Sequence, residues 1–444
     1  MLASRPSISS VPLKTRAEAF SLIKRGSVIV TAMAAAEPYE FWSGISDYIL
    51  ASDALTTTQD SENKIKIFCA NPSKPWAAIS DERMQKHIEI IIMFLTQAVR
   101  DLQGRGFVHY MPQHLSHWSK NIIERPGGVD IFWGTCSSPD ERGYVSLGTS
   151  NCYESEVLRA AKTVILEINP NMPSTHGATE VSLDEVDVFL ETERDLPVVS
   201  LAKYGDLELR IAQNIVDLIS DGSTLQLGIG SIPNAIGKLL VSKRDLGIHT
   251  EMINDAVLDL YNAGAVTGRF KTIWPRKIIG AFAYGSKKLY EFVRENPLVE
   301  IHPASVVNDP YRIGRNSRMI SINSAVEIDF TGQTCSESLG HQELSGAGGA
   351  ADTHIGAQRS SGGRGIVVIP SMTKDGLNSK IVPTLKPGAK VSISRNDIDT
   401  VVTEYGVAVL KGKTVPERIM SMIHVAHPSV RDELLFQAKA LDYL

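Results

Sequence analysis

The chain has 444 residues, of which 43% are hydrophobic and 21% charged, with a formal net charge of -5. This composition is typical of a folded globular protein, and the length exceeds that of one ordinary core. The slightly acidic balance provides no overall basic field for nucleic acid, and no apolar run is long enough to span a bilayer. The expected partners are therefore small molecules, with neither nucleic acid nor a membrane.

Four cysteines lie far apart in the sequence, at positions 69, 136, 152 and 335. None forms a Cys-x-x-Cys pair, so the sequence predicts neither a zinc site nor a disulfide framework. This usage suits the reducing cytoplasm, and no metal is expected.

Apolar runs with strand character alternate with amphipathic helical patterns along most of the chain. The strand candidates are, in chain order, 28–30, 65–69, 129–133, 164–168, 225–227, 278–281, 366–369 and 391–393. The helix candidates are 82–102, 206–218 and 286–295. Such alternation predicts an α/β fold with mostly parallel sheets.

Two stretches of the chain resemble each other. Residues 17–30 and 213–226 each combine a helical pattern, a Gly-Ser pair and a short apolar run, and each leads into a small-residue loop ending near a proline. The charged stretch 191–197 is the best linker candidate. We therefore predict two related open α/β domains, an N-terminal one at 1–200 and a C-terminal one at 201–444.

The most informative segment is Gln226 to Pro233, in which a short apolar strand enters a glycine-rich turn that opens a helix. Gly228 and Gly230 allow backbone N–H groups to turn inward and bind developing negative charge. The next apolar run, 246–249, ends just before Glu251. A carboxylate at the end of a neighbouring strand would face the same crevice, where open α/β sheets bind ligands.

Each of these signals is weak when it is taken alone. A glycine pair after a strand also occurs in plain tight turns and in dinucleotide-binding loops, and most glutamates are solvated surface charges. The segment lacks the last glycine of the Gly-x-Gly-x-x-Gly pattern, which disfavours a dehydrogenase.

Further motifs extend over nearly the whole chain, and together they resemble the acetyl-CoA hydrolase/CoA-transferase family. The likeness is strongest to its 4-hydroxybutyrate CoA-transferase branch, which includes butyryl-CoA:acetate, succinate and itaconate CoA-transferases. The segments that carry the resemblance are 110–116, 137–144, 167–177, 228–233, 249–255, 330–333, 345–352, 402–408 and 426–428.

The resemblance implies a two-domain enzyme that moves CoA between a short-chain acyl-CoA and a carboxylic acid. In such enzymes the glutamate of a His-Ser-Glu-Met segment is the covalent nucleophile, and that position falls on Glu251. The reaction would pass through an acyl-glutamyl anhydride and a glutamyl-CoA thioester. CoA is then a substrate and no cofactor is required, and the family implies a homodimer or homotetramer.

The remaining site candidates form three groups. The oxyanion loop consists of Gln226, Gly228 and Gly230. Candidates for contact with CoA or substrate are Gly346, Gly348, Gly349, Gln333 and Asn323. Candidates for the acyl pocket, expected near Glu251 between the two halves, are Met33, Ala35 and Glu37. The glycine cluster could instead be a structural turn, and Gln333 a buried structural amide.

The sequence also departs from the family pattern at several positions, and the departures nearest the acyl pocket leave the identity of the acid open. They are Met33, Ser138, Ser231, Thr250, Ala256, Thr353 and Val409. An acyl-CoA hydrolase is the nearest alternative, since water could attack the same thioester. A non-catalytic CoA-binding protein is a more distant one, and ping-pong kinetics would exclude it.

Overall fold

The computed structural model describes residues 12–56, 63–102, 106–200, 202–228 and 230–444. The chain has a mixed α/β architecture with mostly parallel sheets, as the sequence predicts. Its residues form two compact units: unit 1 comprises Met1–Val199 with Ala281–Ser305, and unit 2 comprises Ser200–Gly280 with Val306–Leu444. The segment 281–305 thus belongs to unit 1. The predicted domains, 1–200 and 201–444, assign it to the C-terminal domain instead.

Unit 1 is built on seven parallel strands in the order β7-β6-β5-β1-β2-β3-β4. The strands are β1 (Val28–Thr31), β2 (Ile65–Cys69), β3 (Ile88–Ile92), β4 (Val108–Tyr110), β5 (Ile131–Cys136), β6 (Thr163–Ile168) and β7 (Val188–Glu191). Their side chains are mostly buried, as expected for a parallel sheet. Phe20 and Phe41 pack against Trp133 in the core.

The main sheet of unit 2 includes seven strands of that unit, in the order β14-β13-β12-β11-β8-β9-β10. The strands are β8 (Thr224–Leu227), β9 (Gly247–His249), β10 (Ile278–Gly280), β11 (Met319–Ser324), β12 (Arg364–Val368), β13 (Thr400–Thr403) and β14 (Gly406–Val409). All neighbouring pairs are parallel except β13 and β14, which form an antiparallel hairpin at the edge.

Sixteen helices connect these strands in the described part of the chain. They are α1 (Arg16–Phe20), α2 (Tyr39–Ala51), α3 (Asp53–Thr56), α4 (Ala77–Ser80), α5 (Gln97–Arg100), α6 (Trp118–Ile123), α7 (Glu154–Ala160), α8 (Asp206–Val216), α9 (Ser231–Leu240), α10 (Asp255–Asn262), α11 (Lys287–Val293), α12 (Ala304–Val307), α13 (Pro310–Ile313), α14 (Ala350–Arg359), α15 (Val415–Val425) and α16 (Arg431–Ala440). Among the helices described, none has both the length and the apolar character required to cross a membrane.

Two of the predicted elements are wrong. The stretch 82–102 is not one helix but a 3-10 turn, strand β3 and the short α5. Four of the five residues in β3 are isoleucine, and β-branched side chains favour a strand buried between β2 and β4 over a helix. The run 391–393 forms only an isolated bridge from Ile393 to Thr334, because its partner strand, Thr334–Cys335, is two residues long.

The other predicted strands and helices are confirmed, and none of their ends is shifted by more than three residues. The two similar stretches also have the same local conformation. Gly26 precedes β1 with φ of 74°, and Gly222 precedes β8 with φ of 72°. A left-handed backbone of this kind favours glycine, which accounts for the Gly residue at both places.

Candidate active site

Glu251 lies at the carboxyl-terminal edge of the unit 2 sheet, two residues after β9. Strand β9 pairs in parallel with β8, with Leu225 opposite Ile248. The Thr250 hydroxyl donates to the Leu227 carbonyl at 3.4 Å, which ties the two strand ends together. The glutamate and the glycine loop therefore follow neighbouring parallel strands, as the sequence pattern predicts.

One oxygen of the partly buried Glu251 carboxylate is held by two donors. The backbone N–H of Gly349, the residue that caps α14, donates to Oε2 at 3.0 Å. The amide nitrogen of Asn308 lies 3.5 Å from the same oxygen. A methyl group at Gly349 would overlap both the Asn308 amide nitrogen and Glu251 Oε2, so a larger residue here would force both side chains to move.

The pKa of Glu251 is raised to about 7, chiefly by burial and also by the negative charge of Asp352 in the first turn of α14. The Gly349 N–H and the Asn308 amide act in the opposite direction, since they stabilise the carboxylate. A carboxylate whose pKa is near the working pH is more basic than an exposed one and still substantially ionised. Strongly shifted pKa values of this kind are common among side chains that take part in catalysis.

The two glycines of the predicted oxyanion loop differ in their surroundings. The Gly228 N–H donates to the Ile322 carbonyl at 3.1 Å, so that donor is already engaged in the sheet. Gly230 caps α9 with φ of 120°, a conformation that disfavours any side chain. Ile229, between them, lies outside the described residues. Of the two backbone N–H groups, that of Gly230 is the remaining candidate for binding an oxyanion.

Gln226 and Asn323 belong to a buried polar network that joins β8, β11 and α14. The Gln226 side-chain carbonyl accepts from the Ser321 hydroxyl at 2.8 Å and from the Ile322 N–H at 3.1 Å. The Asn323 amide donates to the Thr353 hydroxyl at 3.1 Å. Both amides therefore hold together the elements that carry the glycine loop and Gly349.

Gln333 has its hydrogen bonds within a tight turn. Its N–H and its side-chain amide donate to the two oxygens of Asp329, at 3.0 and 2.7 Å. Gly332 in the same turn has φ of 97°. In the glycine cluster, Gly346 is buried and Gly348 has φ of 51°, and both precede the cap of α14.

The predicted acyl-pocket residues lie in unit 1, in the loop that follows β1. Met33 and Ala35 are fully buried, and the Met33 N–H donates to the buried Glu154 carboxylate at 3.2 Å. Glu37 is also buried, which raises its pKa. Its carboxylate accepts from the Ser73 N–H at 3.2 Å and from the Trp76 indole N–H at 2.9 Å. Ser73 and Trp76 also line a cleft of about 530 Å³ in unit 1.

Sequence reasoning missed Asn308 and Asp352 as neighbours of Glu251. Asn308 follows the short α12 in a segment with no glycine pattern, and Asp352 was noted only as the end of a motif. Their separations from Glu251, 57 residues for Asn308 and 101 for Asp352, exceed the reach of any local pattern. The one indication in the sequence was the family-like motif 345–352, which contains Asp352.

Comparison with known proteins places the chain in a family. Residues 11–200 match the acetyl-CoA hydrolase/transferase N-terminal domain, and residues 285–438 match the C-terminal domain. The chain belongs to the acetyl-CoA hydrolase/transferase family.

Several relatives of this family member are CoA-transferases. The 4-hydroxybutyrate coenzyme A transferase of Clostridium kluyveri is 40% identical over 96% of this chain and 97% of its own. The succinyl-CoA:cyclohexane-1-carboxylate CoA transferase of Geobacter metallireducens is also 40% identical, over 80% of this chain and 81% of its own. The crystal structure of RipA from Yersinia pestis superimposes with a TM-score of 0.89 at 33% identity, covering 97% and 98%. Two relatives named acetyl-CoA hydrolase, from Yarrowia lipolytica and Schizosaccharomyces pombe, are 24% and 26% identical.

Proposed function

We propose that this chain is a CoA-transferase that moves CoA between a short-chain acyl-CoA and a carboxylic acid, with Glu251 as the nucleophile. The observation that carries the proposal is the carboxylate of Glu251 at the sheet edge, with one oxygen held by the Gly349 N–H at 3.0 Å and a pKa of about 7. The family and its transferase relatives support the same reaction.

The proposed chemistry needs no separate base, because the ionised carboxylate is itself the nucleophile. Glu251 attacks the carbonyl carbon of the acyl-CoA, a C–O bond forms, and the C–S bond breaks to release CoA thiolate. The thiolate then attacks the glutamyl carbonyl of the mixed anhydride, which releases the donor acid and leaves a glutamyl-CoA thioester. The acceptor carboxylate reverses both steps and departs as the new acyl-CoA.

Each attack produces a tetrahedral oxyanion, which needs donors placed in advance. When thiolate attacks the glutamyl carbonyl, the developing charge falls on the glutamyl oxygen. If that oxygen is Oε2, the Gly349 N–H and the Asn308 amide already face it. The N–H of Gly230 is a further candidate for the oxyanion on the substrate. Loss of one such donor typically costs on the order of 3 kcal/mol in the barrier.

For the acid we propose a compound of about four or five carbons, such as 4-hydroxybutyrate, succinate, itaconate or butyrate. Relatives named for 4-hydroxybutyrate and butyryl-CoA support this size, whereas the cyclohexane-1-carboxylate relative takes a larger acid. The buried loop with Met33, Ala35 and Glu37 is the proposed specificity element. The test is kcat/KM for a panel of acids with the wild type and Met33→His. Unchanged relative preferences would remove the loop from the acyl pocket, and a preference for long-chain acids would overturn the substrate class.

The decisive experiment on the reaction is Glu251→Gln, with Glu433→Gln on the surface helix α16 as the matched control. The amide keeps the shape but is not an anionic nucleophile, so transferase activity should fall to background while the control retains it. Incubation of the wild type with acyl-CoA alone should trap a thioester that borohydride reduces, with the mass change on the peptide containing Glu251. Substantial activity of Glu251→Gln, or a label on a cysteine, would refute the proposal.

The hydrolase alternative shares the same intermediate and differs in the final acceptor. A transferase should form new acyl-CoA in proportion to added acid, with ping-pong kinetics, and release little free CoA. Rapid CoA release without an acceptor acid would favour the hydrolase. We further propose a cytoplasmic homodimer or homotetramer. The four buried cysteines, which form no disulfide with one another, support a reducing compartment, and the family resemblance supports the assembly. Light scattering in solution would test the assembly.

A further inference from the structure

His249 is a buried side chain whose two ring nitrogens are both engaged. It ends β9, only two residues before Glu251, and is 1% exposed. Nε2 lies 2.8 Å from the Val307 carbonyl, and Nδ1 lies 3.0 Å from the amide nitrogen of Asn316. Because a carbonyl only accepts, Nε2 carries the hydrogen, and Nδ1 accepts from Asn316. The imidazole is therefore held in one orientation.

The bond to Val307 connects two segments that meet again at the nucleophile. Val307 is followed directly by Asn308, whose amide nitrogen faces Glu251 Oε2 at 3.5 Å. Two hydrogen bonds therefore connect the same two short segments: His249 bonds to Val307, and Glu251 bonds to Asn308. Asn308 is fully buried, and among the described residues its Oδ1 has no hydrogen-bond partner. Its position thus depends on how its backbone is anchored.

The packing around His249 is stiff. The ring lies 5.7 Å from the ring of Trp274, a residue with φ of 47°, and Arg276 in the same loop has φ of 63°. Non-glycine residues keep such a left-handed backbone conformation only where the surrounding structure holds them in it. The buried Lys271 ammonium of this loop donates to the Ile248 carbonyl at 2.7 Å and to the Lys277 carbonyl at 2.8 Å. The strand that precedes Glu251 is thus held from this loop as well.

We propose that His249 is a positioning residue for the reaction: it sets the spacing between the nucleophile Glu251 and its amide donor Asn308 by anchoring the Val307 carbonyl. The inference rests on the proposed function, since it assigns His249 a role only if Glu251 is the nucleophile. His249 does not touch the reacting atoms, and its effect passes through Asn308.

The first test compares His249→Asn with His249→Gln. The glutamine amide places a donor where Nε2 stands and can reach the Val307 carbonyl, whereas the asparagine amide is too short. A misplacement of about 1 Å costs on the order of 100-fold in rate. We expect kcat of His249→Asn to fall on the order of 10- to 100-fold with little change in KM, and His249→Gln to recover most of it. Equal losses in both variants would overturn the proposal.

The second test is a double-mutant cycle with Asn308→Ala, measured as kcat. If His249 acts through Asn308, adding His249→Asn to Asn308→Ala should cause a much smaller loss than His249→Asn causes in the wild type. Losses that multiply would show that the two residues act independently and would overturn the proposal. Should His249→Asn fail to fold, the same cycle is run with Asn316→Ala, which keeps the imidazole and removes its Nδ1 partner.

The matched control is His354→Asn, which removes another buried imidazole from unit 2. The His354 ring accepts from the Asp399 N–H at 3.2 Å rather than anchoring the segment next to Asn308. We expect a lower melting temperature with kcat within about twofold of the wild type. A loss of kcat equal to that of His249→Asn would overturn the proposal. If Glu251→Gln retains activity, the proposed function fails; if Glu251→Gln is inactive and the cycle is additive, only this inference fails.

Discussion

At the scale of single residues, the environment of Glu251 combines opposing influences. Burial and the nearby Asp352 favour the protonated acid, whereas the Gly349 N–H and the Asn308 amide favour the carboxylate. The result is a nucleophile with a pKa of about 7, which is close to neutral pH. The same N–H and amide face the oxygen that gains charge when the glutamyl carbonyl is attacked. One set of contacts can therefore serve both the ground state and the transition state.

The substitution Gly349→Ala should abolish most of the transferase activity. Its methyl group would displace the Asn308 amide and Glu251 Oε2 from their positions. We expect kcat to fall on the order of 100-fold, because such misplacement costs about that much. Gly205→Ala is the control, since the nearest atom to its added methyl group is a side-chain oxygen at 3.7 Å. Wild-type activity of Gly349→Ala would contradict the assigned geometry.

The pH profile of kcat/KM should lose activity as the pH falls through about 7, where Glu251 becomes protonated. Asp352→Asn removes a negative charge that raises this pKa, so the acid limb should move to lower pH. The ratio of activity at pH 6 to activity at pH 8 would then increase. Asp432→Asn on α16 should leave the profile unchanged. An identical acid limb in Asp352→Asn and the wild type would argue against this electrostatic coupling.

At the scale of elements, the network around Gln226 joins β8, β11 and the start of α14. Gln226→Leu would remove the oxygen that accepts from the Ile322 N–H, and would leave the Ser321 hydroxyl with only the Thr353 hydroxyl to accept from it. An unsatisfied buried donor costs about 1 to 3 kcal/mol, so we expect the free energy of unfolding to fall by roughly that amount. Denaturant unfolding measures it, with the exposed Gln213→Leu as control. A loss no larger than in the control would show that the network contributes little.

At the scale of the whole molecule, the pKa values of several buried or partly buried carboxyl groups are shifted in the same direction. Burial raises the pKa of Glu37 and Glu154, and raises that of Glu167 and Glu251 to about 7. The folded chain thus holds protons that the unfolded chain releases, and stability is lost as the pH rises through about 7. The pKa of the buried His354 is lowered to about 4, so this residue makes the folded state more stable as the pH rises. It is one group against the four carboxyl groups.

We therefore expect the free energy of unfolding to be greater at pH 5.5 than at pH 8. The carboxyl groups with lowered pKa, such as Glu18 and Glu417, are exposed and lose their contribution only in more acidic solution. Urea unfolding at constant ionic strength across this range provides the measurement. Stability that rises from pH 5.5 to pH 8 would contradict the assigned directions.

Local patterns in the sequence were sufficient to predict the α/β class and the position of Glu251. Apolar periodicity locates most strands, because burial on both faces of a parallel sheet leaves continuous apolar runs. The glycine loop and Glu251 each follow such a run, and β8 and β9 are neighbours. Periodicity failed at 82–102, where a helical pattern and a run of isoleucines compete and only the pairing of β3 with β2 and β4 decides between them.

The contacts that give Glu251 its chemical environment were decided only by tertiary structure. Asn308, Gly349 and Asp352 come from distant parts of the chain, and no local pattern indicates that they converge on one carboxylate. The same holds for Gln226, predicted in the oxyanion loop, and for Asn323 and Gln333, predicted to contact CoA or substrate: their hydrogen bonds to Ser321, Thr353 and Asp329 are visible only in the fold. Sequence periodicity reports which face of an element is buried, whereas a hydrogen bond or a pKa depends on what the fold places opposite it.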